Sequence, residues 1–174
     1  MKRIFLLLAV VSMTVFQSCE GDPGPPGRDG QDGISVESEV FELQNVNFQL
    51  NNNNEYVIFR DLNPVIFDSD NILIYRLAGT IDPQTPIWQL IPRTLYLNEG
   101  ELDYDFDFSA IDFTIYAGGT YNLATTPQFI NNQTFRIVII PGYFSRGGTV
   151  VDFEDYDAVI DAYDIDDSNV KILE

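Results

Sequence analysis

The stretch Leu102-Asp103-Tyr104-Asp105-Phe106-Asp107-Phe108 alternates apolar and acidic residues without a break. In an extended chain successive side chains point to opposite faces, so this period sets four apolar groups on one side and three carboxylates on the other. It predicts a β-strand with one face in a core and the other in water. After a turn at Ser109-Ala110, Ile111, Phe113 and Ile115 repeat the pattern with Asp112 and Thr114 opposite. The two runs read as a hairpin.

Outward from this hairpin, short apolar runs and turn signals follow one another closely. Upstream, Val36, Val40, Phe41, Leu43, Val46, Phe48 and Leu50 predict an opening strand or pair of strands broken near Gln44 and Asn45, with a loop at Asn51–Asn54. Tyr56–Arg60 and Ile72–Leu77 read as strands separated by turns at Asn63-Pro64 and Asp68–Asn71. A loop at Asp82-Pro83 and Thr85-Pro86 leads to short strands at Ile87–Ile91 and Thr94–Leu97, and Pro92 between them implies a bulge or an edge. Downstream, Gly118-Gly119 turns the chain, Tyr121–Ala124 is a short predicted strand, and Phe135–Ile140 is another, ended by Pro141-Gly142. The spacing predicts a mainly β fold, an antiparallel β-sandwich or barrel-like domain rather than βαβ units.

The last segment has a different period. Phe153, Tyr156, Val159, Ile160 and Tyr163 recur at three- and four-residue steps, which predicts one C-terminal amphipathic helix with Asp152 as its N-cap. Its aromatic face is expected to pack on the sheet, and Val170–Leu173 to form a terminal strand.

Composition excludes much familiar chemistry. The chain has 27 acidic and nine basic residues and a formal charge of −18, so it repels phosphate backbones and no nucleic-acid partner is expected. It has no histidine, and its one cysteine is Cys19. That removes intrachain disulfides, Cys or His zinc sites and the Ser-His-Asp triad.

The N-terminal residues give an address. Lys2 and Arg3 precede an apolar run, Ile4–Val15, that is too short to span a bilayer and fits the core of a secretory signal. Ser18 stands directly before Cys19, and the segment resembles a bacterial lipoprotein lipobox, although Phe16 and Gln17 stand where that motif usually carries leucine and a small residue. The resemblance implies a covalent lipid on Cys19 and a membrane anchor without a transmembrane helix.

Glycine then recurs at Gly21, Gly24, Gly27, Gly30 and Gly33. The spacing is that of collagen, where only glycine fits the crowded axis of three polyproline II chains. The expected role is an extended stalk, reaching about 45 Å from Cys19 to Gly33 at full polyproline II extension. A homotrimer assembled through this segment is the alternative. The expected organisation is therefore a signal peptide (1–18), a lipidated cysteine with a collagen-like linker (19–33) and an acidic β-rich domain (34–174). The whole resembles small lipoproteins of diderm bacteria that join a short collagen-like segment to a β-rich domain, which implies the cell envelope, with anchorage in the outer membrane on its periplasmic or surface side. The resemblance supplies no catalytic residues.

Candidate sites are all carboxylates. Asp103, Asp105 and Asp107 share a strand face with neighbours about 7 Å apart, so they would share a calcium ion only with help from another element. Asp164, Asp166, Asp167 and Asn169 resemble a calcium loop in part, but Asn169 stands where glycine is needed. A solvated polar face and an acidic turn are the simpler readings, and no cofactor beyond the covalent lipid is expected. Asp68 and Asp70 read as turn formers. The expected function is a non-enzymatic binding module for a protein, glycan or cation. A structural homotrimer is the second reading, and an Asp/Glu-dependent envelope hydrolase is a distant third.

Overall fold

The computed structural model describes residues 39–142 and 150–173; the signal segment, Cys19 and the glycine repeat lie outside them. Among the described residues the fold is mainly β, with ten strands in two five-stranded sheets and one α-helix. Sheet 1 has the order β10 (Lys171–Ile172), β1 (Glu39–Val46), β9 (Gln133–Ile140), β4 (Asn71–Asp82), β5 (Thr85–Ile91). Sheet 2 has the order β2 (Gln49–Leu50), β3 (Tyr56–Asp61), β8 (Asp112–Gly119), β7 (Gly100–Phe108), β6 (Arg93–Leu97). Every pairing is antiparallel except β1 with β10, which is parallel.

The hairpin predicted from the alternation is β7–β8, with Phe108 opposite Phe113 and Leu102 opposite Gly119. Leu102 and Tyr104 of β7 and Phe113 and Ile115 of β8 are buried, and they meet Phe41, Leu43, Ile72, Ile74, Phe135 and Ile137 of sheet 1 in one apolar cluster. The aromatic rings of Phe48, Tyr104 and Phe135 lie 6.0 to 6.4 Å apart across this layer. Burial of these side chains, each contributing about 1.5–3 kcal/mol, holds the two sheets together. Pro92 sits where the chain leaves β5 for β6, two strands that are each the edge of their sheet, and a residue without an N–H is tolerated there.

Sheet 1 is buried on its other face as well. A second apolar cluster joins Val40, Tyr75, Val138 and Ile140 to Tyr156, Val159, Tyr163 and Ile165. The helix α1 (Tyr156–Ala162) supplies its lid, as the three- and four-residue spacing predicted. This is why β9 reads as a near-continuous apolar run: both of its faces are inside.

Several expectations need correction. The N-cap of α1 is Asp155, whose side chain accepts from the Ala158 N–H at 3.2 Å. Asp152 closes a turn on the Glu154 N–H one step earlier, and Phe153 stays outside the helix because its carbonyl accepts from the buried Tyr75 hydroxyl at 2.8 Å. The Tyr121–Ala124 region is a 3₁₀ turn, Leu123–Thr125, capped by Asn122. The loop expected across Asp82–Pro86 shrinks to a tight turn at Pro83-Gln84, because Pro86 lies inside the edge strand β5. Ile111 belongs to the turn before β8 and is exposed. Near Gln44 and Asn45 the chain does not break: β1 continues through a bulge at which Asn45 adopts φ 54°.

Candidate functional site

The pleat that buries Leu102 and Tyr104 turns Asp103, Asp105 and Asp107 to the outer face of sheet 2, where they are exposed. No helix covers this face in the described residues. Cross-strand pairing fixes their neighbours: Asp103 faces Thr94 of β6 and Gly118 of β8, Asp105 faces Tyr116, and Asp107 faces Thr114. Two of the carboxylates are held by hydroxyls, Thr94 Oγ1 donating to Asp103 at 2.6 Å and the Tyr116 hydroxyl donating to Asp107 at 2.9 Å. The bond to Asp107 holds the Tyr116 proton and raises its pKa. Tyr96, 80 % exposed, and Phe59 extend the surface at its margins. A shallow depression of about 270 Å³ opens between Pro92, Thr94, Asp103 and Asp105. The result is an open plate of acceptors and aromatic faces.

This geometry spreads the carboxylates along a strand. Among the described residues no group of three or more metal-ligating side chains converges. The C-terminal acids are likewise separated by their partners. Asp166 accepts from the Ser168 N–H and hydroxyl at 3.0 and 2.6 Å, which lowers its pKa. Asp164 is a turn residue with φ 50°. Asp70 is buried and locks its loop, accepting from the N–H groups of Phe67 and Gly142.

Asp167 leads to a cluster that reading the sequence did not find. Arg136, on the outer face of β9, donates from Nε to Glu42 at 3.0 Å and from Nη1 to Asp167 at 2.9 Å and to the Tyr156 hydroxyl at 2.5 Å. The Tyr156 hydroxyl donates in turn to Asp167 at 2.9 Å. The guanidinium lies over the Trp88 and Tyr156 rings, 4.6 and 5.0 Å from their centroids. Burial pushes the Tyr156 pKa up against the opposing pull of Arg136, and burial together with the charges of Asp155 and Asp152 raises that of Tyr75. The one available signal was an arginine inside an apolar strand of a basic-poor chain, since a buried guanidinium demands carboxylate partners.

Beside this cluster a cleft of about 430 Å³ runs between β5 and the start of α1, lined by Pro86, Trp88, Asp152, Glu154 and Asp157 among others. A neighbouring cleft of about 330 Å³ is lined by Trp88, Arg136, Tyr156 and Asp167 themselves. The Arg136 network is a clasp that ties α1, β1, β5 and the C-terminal turn to β9. The outer face of sheet 2 has no such cover among the described residues.

No protein-family model, no curated protein and no solved structure matches the chain.

Proposed function

We propose that this chain is a membrane-anchored lipoprotein of the bacterial envelope or cell surface, a non-enzymatic binding module whose contact surface is the outer face of sheet 2. One observation carries the reading: the fold covers the outer face of sheet 1 with a helix and an aromatic clasp, and leaves the outer face of sheet 2 open with its acceptors ordered. Ordered carboxylates beside exposed aromatic rings suit a ligand rich in N–H or O–H donors, either a basic peptide segment or a polyhydroxylated glycan.

The anchor is tested by expressing the full chain with labelled palmitate. Label and chain should enter the membrane fraction together, and Cys19→Ser should abolish both; a soluble, unlabelled wild type would overturn the reading. The surface is tested on the anchored protein with oligolysine and a neutral polysaccharide as probes. Changing Asp103, Asp105 and Asp107 together to Asn should weaken oligolysine binding roughly tenfold at low salt, whereas unchanged binding of both probes would remove this face from the function. The strict glycine period supports the homotrimer as a second reading, and the native mass of the full chain decides it.

A further inference from the structure

Loops that join strands are normally polar, yet the connection from β3 to β4 carries Val65-Ile66-Phe67. Its inner residues Leu62 and Ile66 are buried and pin it down, their N–H groups donating to Ile111 and Ala110 carbonyls at 2.7 and 2.9 Å. Its outer residues point away from the core: Val65 is 61 % exposed and Phe67 47 %. Ile111, in the turn it crosses, is 58 % exposed, and Phe108 at the end of β7 is exposed as well. Val65, Phe67 and Ile111 sit on two loops bonded to each other and Phe108 ends the strand that leads into the second, so the four make an apolar cap at one end of the two sheets. The opposite end is built from Asn51–Asn54 and the Pro83-Gln84 turn.

The cap lies at the end where the described chain begins. Glu39 opens β1 opposite Ile139, and Ile139 is opposite Ile72, next to the residue with which β4 starts after the apolar loop. The segment before Glu39 therefore joins the domain at the capped end. The geometry points to a docking surface: Val65, Phe67, Phe108 and Ile111 insert into the headgroup region of the bilayer to which Cys19 is anchored. This rests on the lipoprotein reading above.

Physical terms favour a bilayer as the occupant. A small apolar cap on loop tips buries little area against a flat protein, whereas binding to a lipid interface scales with whatever apolar area is inserted. Tethering holds the cap at high effective concentration near the surface, so a weak insertion suffices; docking requires the glycine repeat to lie along the membrane rather than stand off it as an extended stalk. Asp68, Asp107 and Asp112 adjoin cap residues in sequence, so the matching surface is zwitterionic, anionic headgroups being repelled. Docked this way, the strands stand upright on the membrane and the plate of sheet 2 faces sideways, clear of lipid.

The test uses the full, lipidated chain in phosphatidylcholine vesicles. With Cys19 acylated the protein has no other thiol, so a single cysteine placed by Ile111→Cys, Val65→Cys or Tyr96→Cys takes a nitroxide label at one site. Labels at 65 and 111 should be shielded from a water-soluble nickel chelate roughly threefold or more relative to the label at 96, and remain open to oxygen. Adding Phe67→Ser to the Ile111→Cys protein should reduce that shielding. Equal chelate access at all three positions on protein that floats with the vesicles overturns the docking and leaves the anchor standing. Protein that does not float, with thiol 19 free, overturns the anchor itself. Shielding from both quenchers, with spin–spin broadening that fades on dilution in lipid, assigns the cap to a second copy and also overturns the proposal.

Discussion

The two sheets use the same number of strands and nearly the same apolar vocabulary, yet sheet 1 is enclosed on both faces and sheet 2 on one. In sheet 1, β9 is buried along almost its whole length, and the single arginine on its outer face is clamped by Glu42, Asp167 and Tyr156. In sheet 2, the corresponding outward positions of β7 are three aspartates in water. A strand enclosed on both sides tolerates charge only with a partner, because an unpaired buried ion costs several kcal/mol. A strand with one wet face carries charge freely. The contrast separates a sheet whose two faces both take part in packing from one whose outer face is free of that constraint.

Matched charge insertions should break the symmetry most clearly. Val159→Asp buries a carboxylate beneath α1 and should lower unfolding free energy by about 4 kcal/mol, whereas Tyr96→Asp on the open face should change it by less than about 0.5 kcal/mol. Urea titrations of both variants measure this directly, and comparable losses would show that the outer face of sheet 2 is also enclosed. Next in size is Arg136→Met, which leaves Glu42 without its cation and should cost about 3 kcal/mol. Adding Glu42→Gln should recover part of the loss, and strictly additive effects would mean that the clasp is not a coupled unit.

The layer between the sheets gives a smaller, pH-dependent effect. Burial pushes the Tyr104 hydroxyl from 10.0 up to about 12, with Arg76 pulling the other way. A group whose folded pKa is raised adds stability that is complete below the unfolded value and disappears as pH climbs through the folded one. Stability should hold to pH 10 and fall by about 2–3 kcal/mol by pH 12 from this residue. Denaturation series at each pH should show a shallower fall for Tyr104→Phe, and an identical alkaline fall in the variant would remove Tyr104 as a cause.

Sequence period made β7, β8 and α1 readable because each has one buried face and therefore one clear period. The bounds of β4 and β5 were less readable. Residues beyond Leu77 pair only with β5 and are mostly exposed, so nothing apolar marks their extent. The α1 cap was misplaced by three residues because Asp152, Asp155 and Asp157 all satisfy the same local preference, and a bond from distant Tyr75 holds Phe153 outside the helix. The carboxylate plate was legible as a face of Asp103, Asp105 and Asp107. The hydroxyls that order it were not, since Thr94 and Tyr116 reach them through strand register. The Arg136 clasp joins residues from β1, β5, β9, α1 and the C-terminal turn, and no local pattern contains it.

The parallel pairing of β10 with β1 gives the molecule a closing step. Lys171 bonds Glu39 at 3.0 Å across 132 positions of chain, and the Leu173 N–H donates to the Glu42 carbonyl at 2.9 Å. The same Glu42 side chain grips Arg136. Contacts between positions so distant in sequence form late, because the intervening loop must close first. Until Lys171 and Ile172 pair with it, β1 is an open edge of sheet 1, so a two-residue strand from the far end of the described sequence is what covers the edge that β1 would otherwise present for pairing with another chain.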